Sequence, residues 1–182
     1  MFKFMENSSG VKLYICEICG DAFIGVEKPS DCPFCGAKGN FIKNGAEAEP
    51  IAEIKTEISE ISKKNLLATL ALETRANAIY LCMADQAKSY VIKKMYKRLA
   101  KVELEHAIIA TKLLNISMPE IKPEECSSGD VENFQKTIEL EDHAIELYQK
   151  FAGEAAEVHV RKFFGAIMQA EMGHIELIKN FI

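Results

Sequence analysis

From about residue 62 onwards, apolar side chains return every three or four positions, the period of a helix with one face on a core. Leu66, Leu70, Tyr80 and Ala84 mark one such stripe, and Leu99, Val102, Ile109 and Leu113 a second. Phe134, Ile138, Ile145 and Tyr148 mark a third, and Phe164, Ile167 and Ile178 a fourth. These stripes predict helices over about 62–88, 91–115, 131–152 and 158–181. Turns near residues 88 and 156 would separate the members of each pair, with Gly153 as a stop before the second. Between the pairs, Asn115 to Asp130 carries Pro119, Pro123, Ser127, Ser128 and Gly129, a composition that no helix survives. A helix of about 24 residues is ~36 Å long and about 15 extended residues reach ~50 Å, so this segment can return along the whole bundle.

Upstream, Ile51, Ile54, Ile58 and Ile61 also recur at helical spacing, which predicts helix just after Pro50, re-capped by Ser59 or Ser62. The stretch Gly45-Ala46-Glu47-Ala48-Glu49-Pro50 is small, acidic and ends in Pro, as a boundary should. The chain therefore divides into a module over 1–45, a linker with a short helix over 46–61, and the bundle over 62–182.

The polar residues inside the stripes change the picture. Glu73 and Tyr80 fall on the first, Glu103 and His106 on the second, Glu141 and Tyr148 on the third, Glu171 and His174 on the fourth. The two halves match interval for interval: 73, 80, 103, 106 against 141, 148, 171, 174. One Glu-x-x-His means little, but two copies preceded by Glu and Tyr at equal offsets mark a duplicated metal-binding helix pair. An unpaired carboxylate in an apolar seam is very costly. Four converging on one core would repel and take up protons unless cations lay between them. Two divalent ions restore neutrality against four carboxylates and two neutral imidazoles. A ligand set rich in carboxylate and free of thiolate suits iron or manganese better than zinc or copper. One Glu from each of two helices plus Glu-x-x-His from each of two others is the di-iron pattern of ferritin-like bundles, which also use one long crossover.

The first 45 residues carry different chemistry. Cys16-Glu17-Ile18-Cys19-Gly20 and Cys32-Pro33-Phe34-Cys35-Gly36 are two Cys-x-x-Cys-Gly knuckles. At this spacing Cys16, Cys19, Cys32 and Cys35 form a thiolate tetrahedron for zinc or a single iron. The glycines let the backbone turn around the sulfurs, and the metal staples a segment too short to bury a core alone. Tyr14, Phe23, Phe34 and Phe41 are candidates to cover it. Spacing leaves open structural zinc or a one-electron iron relay.

Net charge −5 and a sequence pI near 5.5 give no support to nucleic-acid binding. No run approaches the ~18 apolar residues of a membrane span. Met1 to Gly10 lacks an apolar core of leader length, so a cytoplasmic location is expected. Of six cysteines four lie in tight pairs, which reads as metal binding rather than disulfides. Cys82 is expected as a buried apolar side chain and Cys126 as a loop thiol.

The repeated Glu…Tyr…Glu-x-x-His resembles the di-iron core of the rubrerythrin family, and YICEICGDAFIG with CPFCGAKGNF resembles that family's rubredoxin-like module. With the module at the amino end, the order is similar to that of the "reverse" rubrerythrins. The resemblance implies an all-α ferritin-like bundle preceded by a rubredoxin-like β-ribbon. It implies a non-haem iron peroxidase that reduces hydrogen peroxide to water, in defence against oxidative stress. Its rubredoxin-type iron would be fed by an NAD(P)H-dependent reductase or a rubredoxin. A head-to-tail homodimer is also implied, in which one chain's rubredoxin iron serves the partner's di-iron site. Rubrerythrins usually add a seventh carboxylate three residues beyond the helix-three ligand. Here that position is Ala144, matched by Ala76 in the first half. Six ligands carry over, with Glu103 and Glu171 as bridges, and peroxide preference over dioxygen is not implied.

Tyr80 and Tyr148 read either as orienters of a ligand carboxylate on a neighbouring helix or as core tyrosines. Asn77 is a weaker candidate of the same kind. Glu139, Asp142, His143, His159, Glu105 and Glu176 read as solvated or packing residues. Two functions stay open beside the peroxidase: a dioxygen-reducing oxidase, and a ferritin-like iron-binding protein with a zinc ribbon.

Overall fold

The computed structural model describes residues 10–54 and 56–182, so the expectation about the amino-terminal stretch lies, Gly10 apart, outside the described residues. Three short strands, β1 (Lys12–Cys16), β2 (Ala22–Gly25) and β3 (Ile42–Asn44), form an antiparallel sheet in the order β2-β1-β3. β1 is central because it alternates: Tyr14 and Cys16 turn inward while their neighbours face out. Four helices follow, α1 (Glu60–Gln86), α2 (Tyr90–Leu114), α3 (Asp130–Glu154) and α4 (Val158–Lys179). α1 packs along α2 and α3 along α4, and the irregular segment between α2 and α3 is the long crossover. This is a ferritin-like bundle preceded by a small metal-binding β module.

The helix ends have local causes. Ser59 caps α1, its hydroxyl accepting the Ser62 N–H at 3.4 Å. Glu157, just ahead of α4, reinforces that start by accepting the Ser59 N–H and the Ser62 hydroxyl, both at 2.6 Å. α2 ends at Asn115, in the left-handed conformation (φ 53°), where its N–H and that of Ile116 satisfy terminal carbonyls. Gly153 is not the stop of α3. The helix continues to Glu154, and Ala155 leaves it in extended conformation, so no left-handed residue is required.

The helix expected after Pro50 is also not there. Among the described residues of this stretch only a single 3₁₀ turn, Ile51–Glu53, forms, and α1 begins at Glu60. Ile51 and Ile58 are buried but Ile54 and Ile61 are exposed, so the isoleucines do not line one stripe. The Ile51 N–H is instead drawn to the Glu17 carbonyl at 2.7 Å, which ties the linker to the β module.

A second expectation fails at the remaining cysteines. Cys82 and Cys126 are neither a buried apolar group nor a free thiol but a disulfide with a Cα–Cα separation of 5.9 Å. The crossover returns Cys126 to α1 across 44 residues of sequence, a meeting that spacing alone does not reveal.

Two aromatic clusters fill the bundle. Tyr80, Tyr96, Phe134 and Phe181 form a chain with centroids 5.8–6.2 Å apart. Tyr148, Phe151, Phe163 and Phe164 form the other, with Phe164 stacked on Tyr148 at 6.2 Å. Phe164 is fully buried, and its removal leaves a cavity beside three other rings. Phe164→Ala is therefore expected to cost about 3–5 kcal/mol in denaturant unfolding; a loss below about 1 kcal/mol would mean that this cluster is not tightly packed.

Candidate metal centre

The four stripes bring their polar residues to one place between the aromatic clusters. Glu73, Glu103, His106 and Glu171 offer ligand atoms that all lie within 4.8 Å of one another, and so do Glu103, Glu141, Glu171 and His174. Glu103 and Glu171 belong to both groups, the arrangement of carboxylates shared between two ions. The carboxylates are 1–3% exposed, His106 is 0% and His174 8% exposed, so water cannot compensate their charge.

Burial and hydrogen bonding test whether ions fit. Both oxygens of Glu103, both of Glu171 and Nδ1 of His106 are buried with no hydrogen-bond partner among the described residues. Such orphans are rare in a core, and divalent cations satisfy all five atoms together. His106 Nε2 lies 2.8 Å from the Cys35 carbonyl, an acceptor, so this nitrogen carries the proton. The lone pair of Nδ1 is thereby aimed at Glu171 and Glu103, 3.2 and 3.3 Å away. His174 Nδ1 faces Glu171, Glu141 and Glu103 at 2.8–3.3 Å.

The tyrosines cross between the halves. Tyr80 on α1 donates to Glu141 on α3 at 2.7 Å, and Tyr148 on α3 donates to Glu73 on α1. Burial first, then the facing carboxylates, push both phenols well up, so each stays protonated as a donor. Burial, with the charges of Glu103 and Glu171, also pushes Glu141 up to about 8. Glu73 rises for the same leading reason, and the carboxylates raise both histidines against the opposing effect of burial. Glu103 goes the other way: burial would raise it, but His174 and His106 hold it down at about 2.

Asn77 does not join this network, because its amide bonds the Ala100 carbonyl on α2 at 2.5 Å. Glu139 pairs with Lys136 in solvent, while Asp142 and Glu176 are exposed. His143 and His159 are in neither ligand group. Glu105 lies with Asp21 beside Cys19, at the rim of the β module.

Between α1 and α3 a cavity of about 300 Å³ reaches Glu73 and Glu141. Arg75 and His143 line it, with Ala144, at the position where the family resemblance expected a seventh carboxylate, and Ala76, its counterpart in the first half. The two alanine side chains are small and leave this space beside the ligands.

In the β module all four sulfurs are buried. Cys16 and Cys35 lie 3.8 Å apart and Cys19 and Cys32 3.7 Å. A tetrahedron with metal–sulfur bonds of ~2.3 Å has an edge of ~3.8 Å, so the cluster fits one ion. Gly20 and Gly36 adopt φ of +85° and +72°, as the knuckle turns require.

The module seats on the bundle through α2 and α4. Arg98 of α2 donates to the Pro33 and Phe34 carbonyls, and Lys112 reaches the Cys19 carbonyl at 3.5 Å. A Cβ on Gly36 would stand 3.1 Å from that of Ala170, so glycine there also permits the close approach. Sequence reasoning missed Arg98, Lys112 and the Cys35–His106 contact, because each depends on how two separately legible units dock.

The Rubrerythrin family model matches residues 64–182, which takes in the four helices apart from the first turn of α1. Reverse rubrerythrin-1 of Clostridium acetobutylicum is similar, with 34% identity over 113 residues. That alignment covers 57% of this chain and 62% of the relative, so the chain spans less than two thirds of that protein's length. No described helix is long and apolar enough to cross a membrane.

The site makes a pH prediction for protein stripped with a chelator. Glu141, Glu73 and both histidines hold protons more tightly when folded than unfolded, where Glu titrates near 4.3 and His near 6.5. Stability from raised groups is full below the unfolded values and is lost as pH rises through the folded ones. Glu103, held low, acts only below about pH 4. The melting temperature of stripped protein should therefore fall from pH 5 through 8, while metal-loaded protein stays flatter. A stripped protein that gains stability over this range would contradict the site.

Proposed function

The chain belongs to the rubrerythrin family of di-iron oxidoreductases, and from that premise we propose that it is a non-haem peroxidase reducing hydrogen peroxide to water. The observation that carries the reading is the hydrogen bond from His106 to the Cys35 carbonyl, which joins the two candidate metal sites. Glu73, Glu103, His106, Glu141, Glu171 and His174 would hold two irons, and Cys16, Cys19, Cys32 and Cys35 a third. Bound and reduced, the bundle irons supply two electrons for cleavage of the O–O bond and positive charge for the departing oxygen.

The remaining work belongs to the chain. Tyr80 and Tyr148 fix the terminal carboxylates Glu141 and Glu73, so that the ligand set does not rearrange freely. The aromatic clusters keep bulk water from both ends of the site, and the cavity beside Ala76 and Ala144 offers a small oxidant a way to Glu73 and Glu141. On the other side, Cys35 runs from its sulfur through its own main chain to the carbonyl that His106 meets. That contact lies within one chain, and in the head-to-tail homodimer that the family resemblance implies the same contact would be made between partners. Electrons would enter at the module from an NAD(P)H-linked reductase or a rubredoxin.

Anaerobic reduction followed by stopped-flow mixing tests this. Peroxide should restore a ferric–thiolate absorption band quickly and dioxygen slowly. Glu103→Ala, which removes a shared carboxylate, should abolish the peroxide response while the thiolate band persists. Equal or faster reaction with dioxygen would make the protein an oxidase. Absence of any thiolate band would remove the relay and leave an iron-binding bundle with a zinc ribbon.

A further inference from the structure

The bond between Cys82 and Cys126 belongs to neither metal site. Cys82 lies near the end of α1, and Cys126 lies in the crossover shortly before α3. Both residues are half-buried. Cys126 packs one side against the Tyr80–Tyr96–Phe134 cluster, and partial exposure leaves the pair open to small oxidants and thiols.

Space flanks the bond on both sides. A cavity of about 490 Å³ is lined by Cys82 together with Leu81, Asp85, Ile121 and Glu124. A second, of about 330 Å³, is lined by Cys126 with Arg75, Met83, Glu125 and Asn133. Voids thus flank the bond on both sides, and only one side of Cys126 packs on the core cluster. Besides the bond, the segment is held by the Arg75–Glu124 pair at 3.3 Å and by the Asn133 side chain, which brackets the Ser127 backbone at 3.1 and 2.9 Å. Beyond the main chain, the disulfide is the one covalent tie between crossover and bundle among the described residues. A staple built only for stability has no need of this access, whereas accessible bonds are the labile ones in thiol exchange.

We propose that Cys82 and Cys126 are a reversible dithiol–disulfide couple, oxidised by a hydroperoxide and re-reduced by a dithiol, that latches the crossover onto α1. The chemistry balances without a metal. One thiolate attacks the peroxide, forming an S–O bond and breaking O–O, and water leaves after protonation. The second thiol displaces the sulfenic oxygen as a second water, and the S–S bond forms. Two thiols and one hydrogen peroxide thus become one disulfide and two waters, with the two electrons drawn from the sulfurs. A dithiol reverses this through a mixed disulfide and returns two electrons and two protons. Closing the latch holds Glu124, two residues from Cys126, against Arg75. Arg75 in turn lines both the cavity beside Cys126 and the one that reaches Glu73 and Glu141.

The test uses full-length, metal-loaded protein under native conditions. Samples are treated with dithiothreitol, freed of it, exposed to hydrogen peroxide, then alkylated and mapped by mass spectrometry, with metal content followed throughout. Cys82 and Cys126 should both be alkylated after dithiothreitol. After peroxide both should be lost to alkylation, with a cross-linked peptide pair lighter by two hydrogens. Hydrogen exchange over residues 119–127 should be slower in the oxidised form. Cys126→Ser should give no intramolecular bridge, with Cys82 recovered after peroxide as the free thiol or trapped as its sulfenic acid, and the wild-type comparison stands even if this variant folds poorly. A bridge that opens only after unfolding, thiols that stay free under peroxide, or equal exchange in both forms would each overturn the couple.

Discussion

Four carboxylates on four helices, buried in seams that are otherwise apolar, are the constraint on which this structure depends. Their mutual repulsion and loss of hydration would oppose folding of the bundle. Protons relieve part of this, which is why Glu73 and Glu141 are pushed up. Two cations relieve it at neutral pH and also satisfy the orphaned atoms of Glu103, Glu171 and His106. The rest of the bundle follows from holding these groups at fixed distance. Tyr80 and Tyr148 tie α1 to α3 at both ends of the site, and each is anchored in an aromatic cluster of its own.

The duplication gives the site an approximate two-fold symmetry, and the β module breaks it. Only one of the two ligand histidines, His106, meets a carbonyl of that module, while His174 keeps 8% of its surface exposed. One half of the bundle therefore faces the cysteine cluster. The cavity beside Ala76 and Ala144 lies between α1 and α3, a different pair of elements from the α2 and α4 surface on which Gly36 sits. On the proposed function, electron entry and substrate entry would thereby be separated.

Much of this was legible because it is periodic or repeated. The α2 start, the α1–α2 turn and the crossover follow from stripes and prolines, and the convergence of Glu73, Glu103, Glu141 and Glu171 follows from four apolar seams meeting in one core. What stayed hidden depends on meetings that no local pattern encodes. The isoleucines after Pro50 kept helical spacing, yet only Ile51 and Ile58 are buried, and a 3₁₀ turn tied to the Glu17 carbonyl stands there instead. Asn77 sat on the right stripe, but its amide is bonded to the Ala100 carbonyl. Cys82 and Cys126 are joined by the return path of the crossover, and Arg98 reaches the module only once the two units dock.

Anomalous diffraction at the iron edge, on crystals of protein loaded with iron without air, tests the central claim most directly. Three peaks per chain are expected: one within the Cys16, Cys19, Cys32 and Cys35 cluster, and two about 3.5–4 Å apart between the carboxylates. Glu103 and Glu171 should touch both bundle peaks, and His106 and His174 one each through Nδ1. A single bundle peak, or none with the carboxylates protonated, would contradict the claim that paired cations balance this core.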